Sequence, residues 1–196
     1  MKPLPATRSS LEAAIRGLMD TPELPGLELV PRPGVRPAAE LERELVRILG
    51  ETRLGRDRSQ LLRALVLLWH DHLDAAHALV QDAAGGDGAL IHAILHRREP
   101  DFWNSKYWFR RAGMHPAFKA LGTNAAASLK ARGDDDLSAR LIPGGEWDPF
   151  AFVDACEAAL KLPTTNPRYA TLRELQRLEC EAVLGYLTSD LTSYEL

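Results

Sequence analysis

The sequence predicts an all-α fold: a compact, single-domain multi-helix array of seven to nine helices with a proline-rich N-terminal arm. Three observations predict it. Apolar residues recur at helical spacing through most of the chain after residue 37, helix start and stop residues bracket those runs, and no segment shows sustained strand alternation. A chain of 196 residues fits one domain that buries about 70% of its unfolded surface, enough for a core without covalent staples.

Residues 1–40 carry seven of the thirteen prolines, which leaves room for one short helix over 10–20, capped by Ser9 or Ser10, and otherwise for an extended arm. Leu24, Leu27, Leu29 and Val30 suggest that the arm packs on the core. Leu41, Leu45, Ile48 and Leu49 then mark a helix that ends near Gly50. The longest helix is expected over 58–83, capped by Asp57 or Ser59. Leu62, Leu65, Val66, Trp69, Leu73, Ala76 and Val80 share about 100° of its circumference.

Gly85 and Gly86 end that helix, and Asp87 caps the next, over 88–98. Pro100 stops it, and Asp101 caps a third over 102–112, closed by Gly113. Weaker helical segments follow over 117–121 and 123–132, then a polar turn (GDDD) and a loop (IPGGEW). Asp148 before Pro149 is a helix start, continued by Phe152, Cys156, Ala159 and Leu160. A last helix is expected over 169–187, with Leu172, Leu175, Leu178 and Val183 inward.

Composition narrows the function. With 45% hydrophobic and 26% charged residues the balance is that of an ordinary globular protein, and a net charge of −3 argues against a general nucleic-acid binder. The only cysteines, Cys156 and Cys180, lack CxxC spacing and read as buried free thiols. The longest apolar run, ALVLLW, is too short to cross a membrane, and MKPLPATRSS lacks the apolar stretch of a secretory signal, so a cytoplasmic location is expected.

Chemistry concentrates in 57–113, the motif-bearing helices. Five of the six histidines, His70, His72, His77, His92 and His96, lie between Trp69 and Arg111. On a continuous helix with His70 at zero, Asp74 falls at about 40°, His77 at about 340° and Gln81 at about 20°, one polar stripe. On the next helix His92, His96 and Glu99 fall within about 60° of one another. The short turn makes the two helices antiparallel neighbours, which sets His77 opposite His92, Asp74 opposite His96 and His70 opposite Glu99.

Imidazoles and carboxylates on facing helices suit two chemistries. One is a divalent transition metal on His77, His92 and His96. The other is general acid and base work by His70, Asp74 and His96 near neutral pH. Set against both, a histidine at the margin of an apolar face is more often a satisfied hydrogen-bonding residue than a ligand. The dipeptide His70-Asp71 is only weakly similar to that of the HD phosphohydrolases, since no upstream histidine and downstream aspartate complete the pattern.

In HRREPDFWNSKYWFRR, basic residues alternate with aromatics. Arg97, Arg98, Lys106, Tyr107, Arg110 and Arg111 are candidates to bind and orient a small anionic or aromatic ligand, with Asn104, Tyr107, Trp108 and Arg111 on one helical face. Hydrolysis or lyase chemistry on an anionic metabolite is the natural class for such a pocket. The alternative is a non-enzymatic helical module that holds a protein partner through Trp103, Trp108 and their basic neighbours. Simple core packing of these aromatics, with surface ion pairs around them, is the plainest account. No GxSxG occurs, Ser105 lacks an evident base, the GGDG and PGGE clusters are turns rather than phosphate loops, and 134–136 lack the further ligands of a calcium loop.

The strings WHDHLDAAH, GALIHAILHRREPD and NSKYWFRRAG followed by His115-Pro116 resemble those of a family of uncharacterised helical proteins in which similar strings recur in the same order. The resemblance covers residues 69–118. It implies one unit assembled from the three motif-bearing helices, and no activity.

Overall fold

The computed structural model describes residues 7–189. Among them the chain forms ten α-helices, one 3-10 turn at Pro143–Gly145 and no strand, so the fold is all-α. No helix among the described residues is long and apolar enough to cross a membrane.

Helix α1 (Arg8–Leu18) is capped by Thr7, whose side chain accepts from the Ser10 N–H, and it buries Leu11, Ile15 and Leu18. Residues 19–37 form no helix, in keeping with their prolines. This segment is held mainly through its carbonyls. Arg98 Nε (3.2 Å) and Gln176 Nε2 (3.0 Å) donate to Gly26 O, and Arg173 donates to Pro25 O and Leu24 O. A proline-rich segment is short of N–H donors, so outside donors fit it best. Leu27 is buried and Leu24 partly so, whereas Leu29 and Val30 stay exposed.

Helix α2 (Ala38–Gly50) buries Leu41, Leu45, Ile48 and Leu49. The single helix expected over 58–83 is instead two, α3 (Arg56–Trp69) and α4 (Leu73–Val80). Asp71 adopts a left-handed φ of 65°. The Asp71 N–H returns to Leu68 O (3.2 Å) and the His72 N–H to Leu67 O (3.0 Å), which is the hydrogen-bond pattern of a Schellman helix end. That position usually carries glycine, and aspartate is among the few other residues that tolerate it.

Helix α5 (Gly85–Arg98) follows, starting three residues earlier than its spacing predicts. Gly85 takes a φ of 85°, and a Cβ on Gly88 would lie 2.6 Å from the Ala83 Cβ, so the tight turn selects glycine. From Gly88 to Arg98 every residue of α5 is buried, which makes it the centre of the molecule. Helix α6 (Phe102–Ala112) is capped by Asp101 and packs closely on α5, where buried Ser105 donates to Ala93 O at 2.8 Å.

Helix α7 (Ala117–Ala131) runs unbroken where two segments were expected; its Gly122 lets residues 145–147 approach, with Trp147 N 3.4 Å from where a Cβ would sit. The GDDD stretch is not only a turn. Asp134 accepts from the Leu137 N–H and caps α8 (Asp135–Leu141). Helix α9 (Pro149–Ala159) starts on Asp148 as expected, and α10 (Pro167–Leu187) starts on Asn166 with Pro167 in its first turn. The core gathers α3, α5 and α10, with α6, α7 and α9 packed around them.

Candidate functional site

Helices α4 and α5 are neighbours, and they bring three histidines together. His77 Nε2 lies 2.9 Å from His92 Nε2, and the rings meet edge to face with centroids 4.7 Å apart. His96, one turn along α5 from His92, stacks on it at 4.8 Å, and its ring is 5.7 Å from that of His77. One potential ligand atom from each lies within 4.8 Å of the others. His92 and His96 are buried and His77 is half-buried.

Glu99 Oε2 is 2.8 Å from His96 Nδ1. An ionised carboxylate only accepts, so in the neutral imidazole Nδ1 carries the proton and Nε2 keeps its lone pair, 3.1 Å from Asn104 Nδ2. His92 has no such support: its Nδ1 is buried without a hydrogen-bond partner. Burial, and after it the neighbouring His96 and His77, push the His92 pKa down to about 4. Its imidazole is therefore neutral at pH 7, the form that binds a metal ion.

The wall opposite α4 comes from α6. Trp108 stacks on His92 with centroids 3.9 Å apart. Arg111 lies over Trp108 at 5.3 Å and over Tyr107 at 5.9 Å, and Trp103 stacks nearly parallel to Tyr107. Trp103 is 74% exposed and Tyr107 38%.

The remaining candidates are placed elsewhere. His70 is buried behind the helix break: its Nε2 donates to Leu18 O at 2.7 Å and its Nδ1 accepts the Arg36 N–H at 3.2 Å, so both nitrogens are spent on the arm. His72 Nε2 donates to Arg36 O at 2.7 Å. The expected stripe of His70, Asp74 and His77 is broken because Asp71 turns the chain between α3 and α4. Asp74 is exposed in the first turn of α4, where a carboxylate favours the helix dipole, and it does not face His96.

Arg97 and Arg98, expected at a ligand, are buried and engaged by the protein. Arg97 makes a two-pronged pair with Glu179 of α10 and lies over Phe152 at 4.5 Å. Burial alone would lower its pKa, but the Glu179 charge and hydrogen bonds outweigh burial and raise it. Arg98 pairs with Asp71 and donates to Leu68 O at the end of α3, where Arg32 also pairs with Asp71 (2.9 Å) and donates to Trp69 O. Lys106 pairs with Asp154 of α9, and exposed Arg110 lies over Phe150 at 5.9 Å.

His115, outside the motif, is also a structural histidine. Its Nε2 donates to Asp87 at 3.0 Å and its Nδ1 accepts the Ala117 N–H at 3.2 Å. Cys156 and Cys180 are buried, and burial pushes each thiol up to about 12, so neither is a nucleophile at neutral pH.

Glu99, Asn104 and Trp108 belong to the cluster although they were not among the candidate site residues. Glu99 shares the His92 and His96 stripe, three residues after His96, and Asn104 shares the Trp108 face; those spacings were the available signal. No family model matches the chain, and no curated protein or solved structure matches it.

Proposed function

We propose that the protein holds one divalent transition-metal ion on His77, His92 and His96 and uses the ion's open position for hydrolysis or lyase chemistry on a small anionic metabolite. The observation that carries this reading is the convergence of three imidazole ligand atoms within 4.8 Å from two helices. With bonds of about 2.0–2.1 Å, tetrahedral nitrogen ligands lie roughly 3.3 Å apart, so small side-chain adjustments close the set. Three protein nitrogens leave the fourth position free for water or substrate, as in catalytic rather than structural zinc sites.

The surroundings support the same reading. Glu99 holds His96 in the tautomer that presents Nε2, the carboxylate–histidine support common behind metal ligands. An ion would also replace the single hydrogen bond that the His77 and His92 Nε2 atoms share with a bond to each.

Titrating chelator-treated protein with Zn(II) by calorimetry, and with Co(II) by visible absorption, tests the proposal. One equivalent should bind per chain. Affinity should fall about 100-fold or more in His77→Ala, His92→Ala or His96→Ala, since each removes a ligand, and should be unchanged in His72→Ala. Uptake that survives all three alanine substitutions would refute the site.

The second reading is a non-enzymatic module that binds a protein partner. The wide exposure of Trp103 is what favours it, because aromatics with a neighbouring arginine are common interface anchors.

A further inference from the structure

The outer wall of the histidine cluster has a chemistry that the cluster itself does not explain. Trp103, Tyr107 and Arg111 follow one another at four-residue spacing along α6, all exposed, and Trp108 reaches from the same helix to stack on His92. Arg111 has no carboxylate partner among the described residues. Its guanidinium rests on the Tyr107 and Trp108 rings, and its one polar contact is a 3.5 Å approach to Tyr107 Oη. The other basic side chains of the HRREPDFWNSKYWFRR segment are occupied or turned away: Arg97, Arg98 and Lys106 are in ion pairs, and Arg110 lies over Phe150.

We infer that the substrate of this centre is an aromatic carboxylate, its ring lying against the nearly parallel Trp103 and Tyr107 rings and its carboxylate paired with Arg111, so that its reactive group reaches the ion. This rests on the metal reading above. Flat side chains left partly open to water recognise a flat ligand, and a planar guanidinium already stacked on rings loses little freedom on engaging a carboxylate with its fork. Trp108 links this ledge of rings to the centre directly, since its ring lies 3.9 Å from that of His92. A saturated acid would gain the ion pair without the stacking, and a neutral aromatic amide the stacking without the ion pair.

The test uses the full chain and three probes: benzoate, benzamide and cyclohexanecarboxylate. Tryptophan fluorescence reports the ledge, and the visible bands of the Co(II)-loaded protein report the ion. Benzoate should bind about tenfold more tightly than either of the others, consistent with the separate contributions of a stacked ring and an ion pair. Arg111→Gln should bring benzoate down to the level of benzamide while leaving cobalt uptake intact, and Trp103→Ala should weaken both aromatic probes. Benzoate should also shift the cobalt bands.

Equal affinities for benzoate and cyclohexanecarboxylate would overturn the inference, as would indifference to Arg111→Gln or benzoate binding that leaves the cobalt bands unmoved. So would self-association of the chain, seen by sedimentation, that Trp103→Ala abolishes, because the ledge would then be a contact between copies. Absence of cobalt uptake would sink the metal reading and with it the substrate role. In that case the fluorescence arm would still show whether the ledge selects an aromatic carboxylate.

Discussion

Two groups of histidines lie within a short stretch of sequence and do different work. At the break between α3 and α4, His70 and His72 direct their ring nitrogens at backbone: Leu18 O, the Arg36 N–H and Arg36 O. At the α4–α5 contact, His77, His92 and His96 turn toward one another, with one buried nitrogen left over. The first group spends its bonded nitrogens on backbone and fastens the arm to the core. The second brings three imidazoles close enough to share one ligand and leaves a single buried nitrogen, His92 Nδ1, without a partner. What separates the two groups is therefore whether their ring nitrogens meet backbone or one another, not how densely histidines occur in the sequence.

The sharpest way to break the contrast is at Asp71. Its carboxylate serves Arg32 and Arg98, whose side chains are each only 2% exposed, and both cations also donate to the last carbonyls of α3. Asp71→Ala would leave two buried guanidiniums without their counter-charge and put alanine at a left-handed φ. The expected loss is about 3–5 kcal/mol of stability in urea denaturation. A loss under about 1 kcal/mol would mean that the fastening is not held there. Ion affinity, measured where the variant is still folded, should stay near wild type because Asp71 does not touch the cluster.

A smaller effect follows from pH. Burial lowers the His70 pKa below its ordinary value near 6.5; the Leu18 hydrogen bond opposes this, and Arg32, His72 and Arg36 push the same way as burial. A histidine that is harder to protonate when folded contributes stability above the unfolded pKa and loses it as pH falls below about 6.5, where the unfolded chain takes up more protons. His70→Phe should cost about 1–3 kcal/mol at pH 7, from the hydrogen bonds lost. The gap to wild type should narrow by pH 5, since phenylalanine does not titrate. A gap that stays constant between the two pH values would show that His70 does not sense protons.

The same contrast explains what the sequence could and could not reveal. Helix α6 was legible from end to end, because Asp101 and Gly113 are local signals at its two ends. The facing of His77 and His92 followed from helical spacing and a short turn, and both survive in the structure. The break at 70–72 was hidden, since aspartate is an uncommon residue for a helix end of that kind and the arginines that hold it come from residues 32 and 98. Spacing alone therefore gives His70 and Asp74 the phase of a continuous helix that the structure does not contain. Arg97 reads as a ligand-binding candidate for a similar reason: its partner, Glu179, is 82 residues away and leaves no local trace. Helix α8 has no distinct signal, because an acidic cap and an acidic turn look alike in sequence.

The smallest expected change in stability belongs to Glu99, and it separates the two groups most cleanly. Glu99 is about one-third exposed and pairs with His96 three residues earlier on the same stretch, so as a structural contact it is worth little. Glu99→Gln should alter the stability of the metal-free protein by no more than about 0.5 kcal/mol. If Glu99 instead serves to present His96 Nε2 to an ion, the same change should weaken Zn(II) binding about 10- to 100-fold, as loss of an orienting carboxylate behind a ligand commonly does. At Asp71 the expectation runs the other way, with large loss of stability and ion affinity preserved. A Glu99→Gln protein that is clearly destabilised yet binds Zn(II) normally would place His96 with His70 among the structural histidines, leaving two imidazoles, too few to hold an ion on their own.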